Sequence, residues 1–192
     1  IKNNILARNR TIISVGRLIE SKHYDRLITI FSKLDAPDWN LIIAGGDALK
    51  QNNLFFLKQL TIKLGIQNRV MFTGEVKDIN SLYAQCQIFA FTSSSEGFPN
   101  VIGEALSAAL PVVSYDCIAG PSELIKDGIN GYLIPTFNDE LFKHKIQYLV
   151  DNKIIRKKMS VNAVDSIADF SVKSIGTKYL RAIIPGFESN SN

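Results

Sequence analysis

The sequence predicts an α/β fold, a doubly wound and mostly parallel Rossmann-like sheet of about six strands followed by a helical tail. Three observations predict it. Short apolar runs recur with little polar alternation, as strands buried on both faces require. Helix-period segments separate the runs, so successive strands pair in parallel through right-handed crossovers. Three of the runs close on a glycine, at Gly16, Gly45 and Gly74.

The elements follow in order. Thr11 to Val15 is the first strand, and an apolar stripe of Leu27, Ile28, Ile30, Phe31 and Leu34 predicts a helix from Tyr24 to Leu34. Leu41 to Ala44 is the second strand, ending in Gly45-Gly46-Asp47, and the next helix runs to Leu64 with Gly65 as its stop. Val70 to Phe72 is the third strand, and Asp78 is placed to cap a helix through Cys86. Ile88 to Phe91 is the fourth strand, followed by a loop and a helix from Asn100 to Ala109. Pro111 to Ser114 is the fifth strand, with a short helix after Pro121, and Tyr132 to Ile134 is the sixth. Beyond Asn138 only helices are expected, at Asn138–Asp151, Ile154–Val164 and Ser171–Arg181, before a polar tail, Glu188 to Asn192, that is expected to fray.

The 192 residues are enough for one domain, with an α/β part over 11–137 and a helical tail over 138–183. Hydrophobic residues at 46% and charged residues at 21% are ordinary for a soluble globular protein. No run of about eighteen apolar residues is present, and no signal peptide is visible. The net charge is +4 and the basic residues are dispersed, without an aromatic stacking platform, which argues against a nucleic-acid partner. One basic cluster, Lys153, Arg156, Lys157 and Lys158, is read either as a solvated helix face or as a peripheral membrane surface. Cys86 and Cys117 have no metal-site spacing and read as buried thiols of a cytosolic protein.

In a doubly wound sheet, ligands bind at the carboxyl ends of the strands. The most informative loop there is Ser93-Ser-Ser-Glu96-Gly97-Phe98-Pro99-Asn100-Val101-Ile-Gly-Glu104, between a buried strand and a helix. Gly97 is read as permitting unusual backbone angles and close approach of a ligand. The helix N-terminus offers free N–H groups and partial positive charge, which suit phosphate. Glu96 and Glu104 flank that site, and carboxylates accept hydrogen bonds from sugar hydroxyls. The set suits a ligand with phosphate in the middle and a sugar at each end. A second segment, Gly16-Arg17-Leu18-Ile19-Glu20-Ser21-Lys22, places two cations after the first strand.

These residues resemble the retaining GT-B glycosyltransferases of the glycosyl transferases group 1 family. The glutamate pair Glu96-Gly97-Phe98 through Glu104 is similar to that family's E-G-F/L-x-x-x-x-x-E signature, and Gly16-Arg17-Leu18 through Lys22 to its G-R-L-x-x-x-K pattern. The likeness runs from Ile12 to Pro135 and identifies the chain as the C-terminal, donor-binding lobe of a two-lobed enzyme. It implies catalytic roles for Arg17, Lys22 and Glu96, the cations neutralising the donor diphosphate and Glu96 contacting the donor sugar. It implies donor-binding roles for Gly16, Gly97, Phe98, Asn100, Val101, Glu104 and Val76, with Glu104 on the ribose and the backbone amides around Phe98, Pro99 excepted, and of Asn100 and Val101 on the distal phosphate. Val76 and Arg69 are the candidates nearest the base. Glu123 either caps its helix or shapes the donor pocket. His23 stands where many members carry glycine, and His144 reads as a surface residue.

The implied reaction is retaining transfer of a sugar from a nucleotide diphosphate, UDP being the expected donor, to a glycan or lipid-linked acceptor. No metal and no cofactor are implied, because two fixed cations stand in for one. The expected setting is the cytoplasm, at the inner face of the membrane where the acceptor is lipid-linked. The acceptor lobe, of roughly 150–200 residues, is absent from this chain, so the isolated lobe is expected to bind donor without turnover. The helix at Ser171–Arg181 is expected to brace that lobe. A nucleotide-sugar binding module without catalysis, and a phosphorylase or epimerase on the same fold, are the alternatives.

Overall fold

The computed structural model describes residues 9–47, 52–118, 120–170 and 172–184. The tail from Glu188 to Asn192 lies outside them. Six strands form one wholly parallel sheet in the order β3-β2-β1-β4-β5-β6. They are β1 (Thr11–Val15), β2 (Asn40–Ala44), β3 (Val70–Gly74), β4 (Ile88–Phe91), β5 (Val112–Asp116) and β6 (Gly131–Pro135). The helices are α1 (Tyr24–Ser32), α2 (Asn53–Lys63), α3 (Ile79–Gln85), α4 (Asn100–Ser107), α5 (Pro121–Leu124), α6 (Asp139–Asp151), α7 (Lys153–Ile167) and α8 (Val172–Ile183).

Every strand except the edge strand β3 contributes side chains to two cores, one per face; β3 gives Val70 and Phe72 to one core and leaves Met71 exposed. Ile12, Leu41, Ile43, Ile88 and Val113 pack with α1, α2 and α6 in one cluster. Ile13, Phe89, Phe91 and Val112 pack with α3, α4 and α5 in the other. That is why the five other strands show no polar alternation: both their faces are dry. Each fully buried side chain of this kind contributes about 1.5–3 kcal/mol relative to exposure.

The cap and the stop expected from the sequence, Asp78 and Gly65, are in place, and Asn138 caps α6 as well. The Asp78 carboxylate accepts from the Ser81 amide at 3.1 Å and starts α3. Asn138 does the same for α6 through Leu141 at 3.1 Å. Gly65, at φ 69°, follows α2. Among the differences from the sequence reading, three have a clear cause or consequence. A single 3-10 turn, Glu20–Lys22, shapes the loop after β1. α4 stops at Ser107, because Ala109 turns left-handed at φ 60° and Pro111 disfavours helix at the residue before it. α7 runs on to Ile167, since Ala163 and Ile167 still pack against the α4 side of the sheet.

The basic cluster is also corrected. Arg156 is buried, not part of a solvated face. Its guanidinium donates to the carbonyls of Leu149 and Val150 and to Gln87 Oε1, and lies 5.1 Å from the Trp39 ring. Lys153, Lys157 and Lys158 are exposed as expected.

Candidate functional site

β1 and β4 are neighbours, but β1 continues towards β2 on one side and β4 towards β5 on the other. Their crossovers part at this point and leave a crevice at the carboxyl ends of the two strands. The loop after β1 and the loop after β4 line it. Backbone and hydroxyl hydrogen bonds tie the two loops together. Thr92 Oγ1 donates to the Lys22 carbonyl at 2.8 Å, Ser93 Oγ to the Ser21 carbonyl at 3.1 Å, and the Ser94 amide to the same carbonyl at 2.9 Å. On the other flank the Gly16 amide donates to Ala44 O and the Leu18 amide to Gly46 O, both at 2.9 Å. The Gly45 amide donates to Gly74 O at 2.9 Å, so the loops after β1, β2 and β3 form one continuous rim.

Within the crevice Lys22 Nζ and Glu96 Oε1 form an ion pair, 74 residues apart in sequence. Their side chains are only 15% and 16% exposed. Low exposure weakens screening and makes the pairing firm, and also makes removal of one partner costly to the other. The ammonium lies 5.2 Å from the centre of the Phe91 ring, at the end of β4. Tyr24, buried at the start of α1, donates its hydroxyl to the Gly16 carbonyl at 3.1 Å and fixes the root of the loop. Burial raises the Tyr24 phenol well above its usual value, so it stays a donor. Arg17 is exposed and has no partner among the described residues.

α4 supplies the other half of the crevice. Pro99 has no N–H, and no side chain caps the helix. The Asn100 amide turns back to Phe98 O at 3.0 Å and the Ile102 amide to Pro99 O at 2.9 Å. The Val101 amide has no partner among the described residues, so of Asn100 and Val101 it is the amide free for an anion. Phe98 is half exposed beside it. Gly97 is not in the left-handed region, and a Cβ added there would meet nothing within 4 Å. What Gly97 provides is open space, not the unusual backbone angle expected of it.

Glu104, one turn into α4, is exposed and held from below. The buried Tyr83 hydroxyl donates to Glu104 Oε2 at 3.1 Å. Burial first, then the nearby Glu104 charge, raise the Tyr83 phenol above its usual value and keep it protonated. Nothing local in the sequence marks Tyr83, which reads as one more apolar position of α3; the contact exists only because α3 and α4 pack on the same sheet face. On the nucleotide-binding role that the resemblance implies for Glu104, Tyr83→Phe is expected to leave the fold intact and to weaken nucleotide binding by roughly three- to tenfold, the worth of one hydrogen bond that orients a carboxylate. Calorimetric titration of both forms checks this; equal affinities would remove the role.

The remaining expectations divide. Val76 is half-buried and follows β3 at the crevice end. Arg69 is misplaced as a base contact. It precedes β3, at the far end of the sheet, where Nη1 donates to Ala36 O at 2.8 Å and the guanidinium covers Phe31 at 4.8 Å. Its neighbour Val70 starts the strand, so its side chain and the crevice are separated by the length of β3. Glu123 is exposed in the first turn of α5, whose cap is Gly120 with no side-chain hydrogen bond, so capping is not its part. His144 is on the surface of α6. Cys86 and Cys117 are both buried thiols. A network the sequence did not signal lies behind the crevice: Arg26 Nη1 donates to Asp139 Oδ2 at 2.9 Å, and the Tyr115 hydroxyl donates to the same carboxylate.

Among the described residues no group of three His, Cys, Asp or Glu is placed to hold a metal ion, and no helix is long and apolar enough to cross a membrane.

Residues 1–165 match the family model described as glycosyl transferases group 1. The amylovoran biosynthesis glycosyltransferase AmsD of Erwinia amylovora is 30% identical over 178 residues, 92% of this chain and 49% of that protein. The N-acetylgalactosamine-N,N'-diacetylbacillosaminyl-diphospho-undecaprenol 4-alpha-N-acetylgalactosaminyltransferase of Campylobacter jejuni is 30% identical over 154 residues, 80% of this chain and 41% of that protein. Among solved structures, Anabaena Alr3699/HepE in complex with UDP superposes with a TM-score of 0.85 at 28% identity, covering 92% of this chain and 49% of that one. The chain spans about half the length of the curated relatives it matches first.

Proposed function

The chain belongs to the glycosyl transferases group 1 family, and from that premise we propose that it is the donor-binding lobe of a retaining GT-B glycosyltransferase that uses a UDP-sugar. The observation that carries the reading is the largely buried Lys22–Glu96 pair at the switch point, on the loop that leads into α4 and its free Val101 amide. An ammonium and an amide beside a carboxylate suit a phosphate joined to a polyol. Lys22 keeps hydrogen-bond donors beyond the one that meets Glu96. With Arg17 and the Val101 amide it holds the diphosphate and stabilises the negative charge that grows there as the glycosidic bond breaks. Glu96 accepts hydroxyls of the donor sugar and orients the anomeric carbon. Glu104, steadied by Tyr83, accepts the ribose hydroxyls, and the backbone near Val76 meets the base. In this scheme the Lys22 ammonium and the Arg17 guanidinium take the place of a metal, and the nucleotide sugar is a substrate and not a cofactor.

UDP is favoured because Alr3699/HepE is known with UDP and with UDP-glucose. The acceptor is a glycan or a lipid-linked glycan of surface polysaccharide or glycoconjugate synthesis, in keeping with the undecaprenol-linked substrate named for the Campylobacter relative. It docks on the acceptor lobe of the same enzyme, at the cytoplasmic face of the membrane, where Lys153, Lys157 and Lys158 meet anionic headgroups. Transfer needs both lobes; the donor lobe alone binds.

The test is calorimetry on this chain with UDP, GDP and ADP, then with UDP-glucose and UDP-N-acetylhexosamines. UDP is expected to bind tightest, and a sugar moiety to add affinity through Glu96. Failure of all three diphosphates to bind would overturn the donor-lobe reading, and a clear preference for GDP or ADP would overturn the choice of UDP.

A further inference from the structure

The residue after Lys22 carries a strain that its neighbours explain. His23 sits in the left-handed region at φ 48°, ψ 46°, between the 3-10 turn and α1. For a non-glycine residue that conformation is unfavourable by about 1–2 kcal/mol, and glycine would take it without penalty. An imidazole is retained there in a position that holds three loops. His23 Nε2 and Ser94 Oγ share a hydrogen bond at 2.8 Å, across 71 residues of sequence. The opposite contact of the ring is Phe137, met edge-on at 5.0 Å. Phe137, itself left-handed at φ 67°, belongs to the loop between β6 and α6 and lies under the Arg26 guanidinium at 4.5 Å. His23 therefore joins the loop after β1, the loop after β4 and the loop after β6.

The direction of the ring matters. His23, with Ile19, Glu20 and Ser21, lines a cavity of about 930 Å³ on the α1–α2 side of the loop. Lys22 is not part of that lining and meets Glu96 instead. Consecutive side chains thus take different partners on the loop after β4: the cation pairs with Glu96, and the imidazole bonds Ser94 while lining the cavity. Ser94 is two residues before Glu96. A bond from His23 to Ser94 accordingly ties together the residue next to Lys22 and the residue two before Glu96.

We propose that His23 is a positioning residue for the donor diphosphate: it clasps the two loops of the switch point and so sets Lys22 against Glu96. It touches neither phosphate nor sugar. The proposal rests on the donor-lobe reading. A histidine that merely filled a glycine position would be replaceable by glycine with gain; a clasp would not.

The experiment is a double-mutant cycle on this chain with His23→Gly, Ser94→Ala and both together, read by UDP and UMP titration and by thermal unfolding. His23→Gly and Ser94→Ala are each expected to weaken UDP by roughly three- to tenfold, and the double variant no further than either single one, since both remove the same bond. UMP, lacking the distal phosphate, is expected to lose much less. His23→Gln, whose amide nitrogen falls near the ring Nε2 position, is expected to recover most of the loss. Additive losses, an equal loss for UMP, or UDP affinity unchanged in His23→Gly would overturn the clasp while leaving the donor lobe standing. Loss of UDP affinity accompanied by a collapse of the unfolding transition would overturn it too, as a purely structural role. If the unaltered chain binds none of UDP, GDP and ADP, the donor reading falls and the clasp with it.

Discussion

Lys22→Ala is expected to weaken UDP-sugar binding by roughly 10- to 100-fold and to lower kcat of the full-length enzyme by a similar factor. A charge-assisted hydrogen bond contributes about 1.5–3 kcal/mol, and Lys22 is the one described cation fixed in the crevice by a partner on the opposite loop. Two effects add. The diphosphate loses a fixed positive charge, and Glu96 is left with a side chain only 16% exposed and no counter-ion. Lys22→Met separates them from packing, because it keeps the stem beside Phe91 while removing the charge. It should resemble Lys22→Ala in binding and surpass it in melting temperature. Lys22→Arg should recover little, since a planar fork does not reproduce a compact ammonium between Glu96 and the Phe91 ring. Steady-state kinetics and calorimetry across the three variants check this, and unchanged donor affinity in Lys22→Ala would dismiss the diphosphate role.

Gly45→Ala is the second. Its backbone is at φ 149°, and a Cβ there would stand 2.0 Å from the Gly16 carbonyl oxygen and 3.3 Å from the Arg17 amide nitrogen. These are backbone atoms of the neighbouring loop, so no side chain can rotate away. The loop after β1 must move, carrying Gly16, Arg17 and the turn that aims Lys22. Relieving such a clash in a packed region costs about 2–4 kcal/mol, combining overpacking with backbone strain. For a domain of this size that lowers Tm by roughly 5–15 °C, and donor affinity should fall with it. By contrast Gly97→Ala, where a Cβ meets nothing within 4 Å, is expected to leave Tm within a degree or two and to act on ligand binding alone. Thermal unfolding of the pair decides; equal melting temperatures would show that the three-loop rim is not rigid.

The contrast between these glycines marks where the sequence was legible. In the sequence Gly45 only closes the second strand, and Gly97 is the residue expected to be conformationally special; the structure reverses the emphasis. Gly45 is required by a neighbour 29 residues earlier, and no local pattern carries that. Arg69 was assigned to the crevice by its nearness to β3 in sequence, yet it lies before the strand, and a strand's length separates its two ends. Arg156 read as part of a basic surface, but α7 turns it inward to carbonyls freed where α6 ends. In each case the error is one of facing, which depends on what packs where.

By itself the sequence determined the strand order's raw material, six apolar runs alternating with helices, and the two loops that must meet at the switch point. Those follow from local physics: periodicity, caps and the handedness of parallel crossovers act within a few residues of their cause. Only the tertiary structure decided that Lys22 pairs with Glu96, that Tyr83 supports Glu104, and that His23 reaches Ser94. These contacts span 74, 21 and 71 residues. They arise because the sheet brings β1 beside β4 and stacks α3 next to α4, an arrangement fixed by burying both faces of one sheet and written in no single segment.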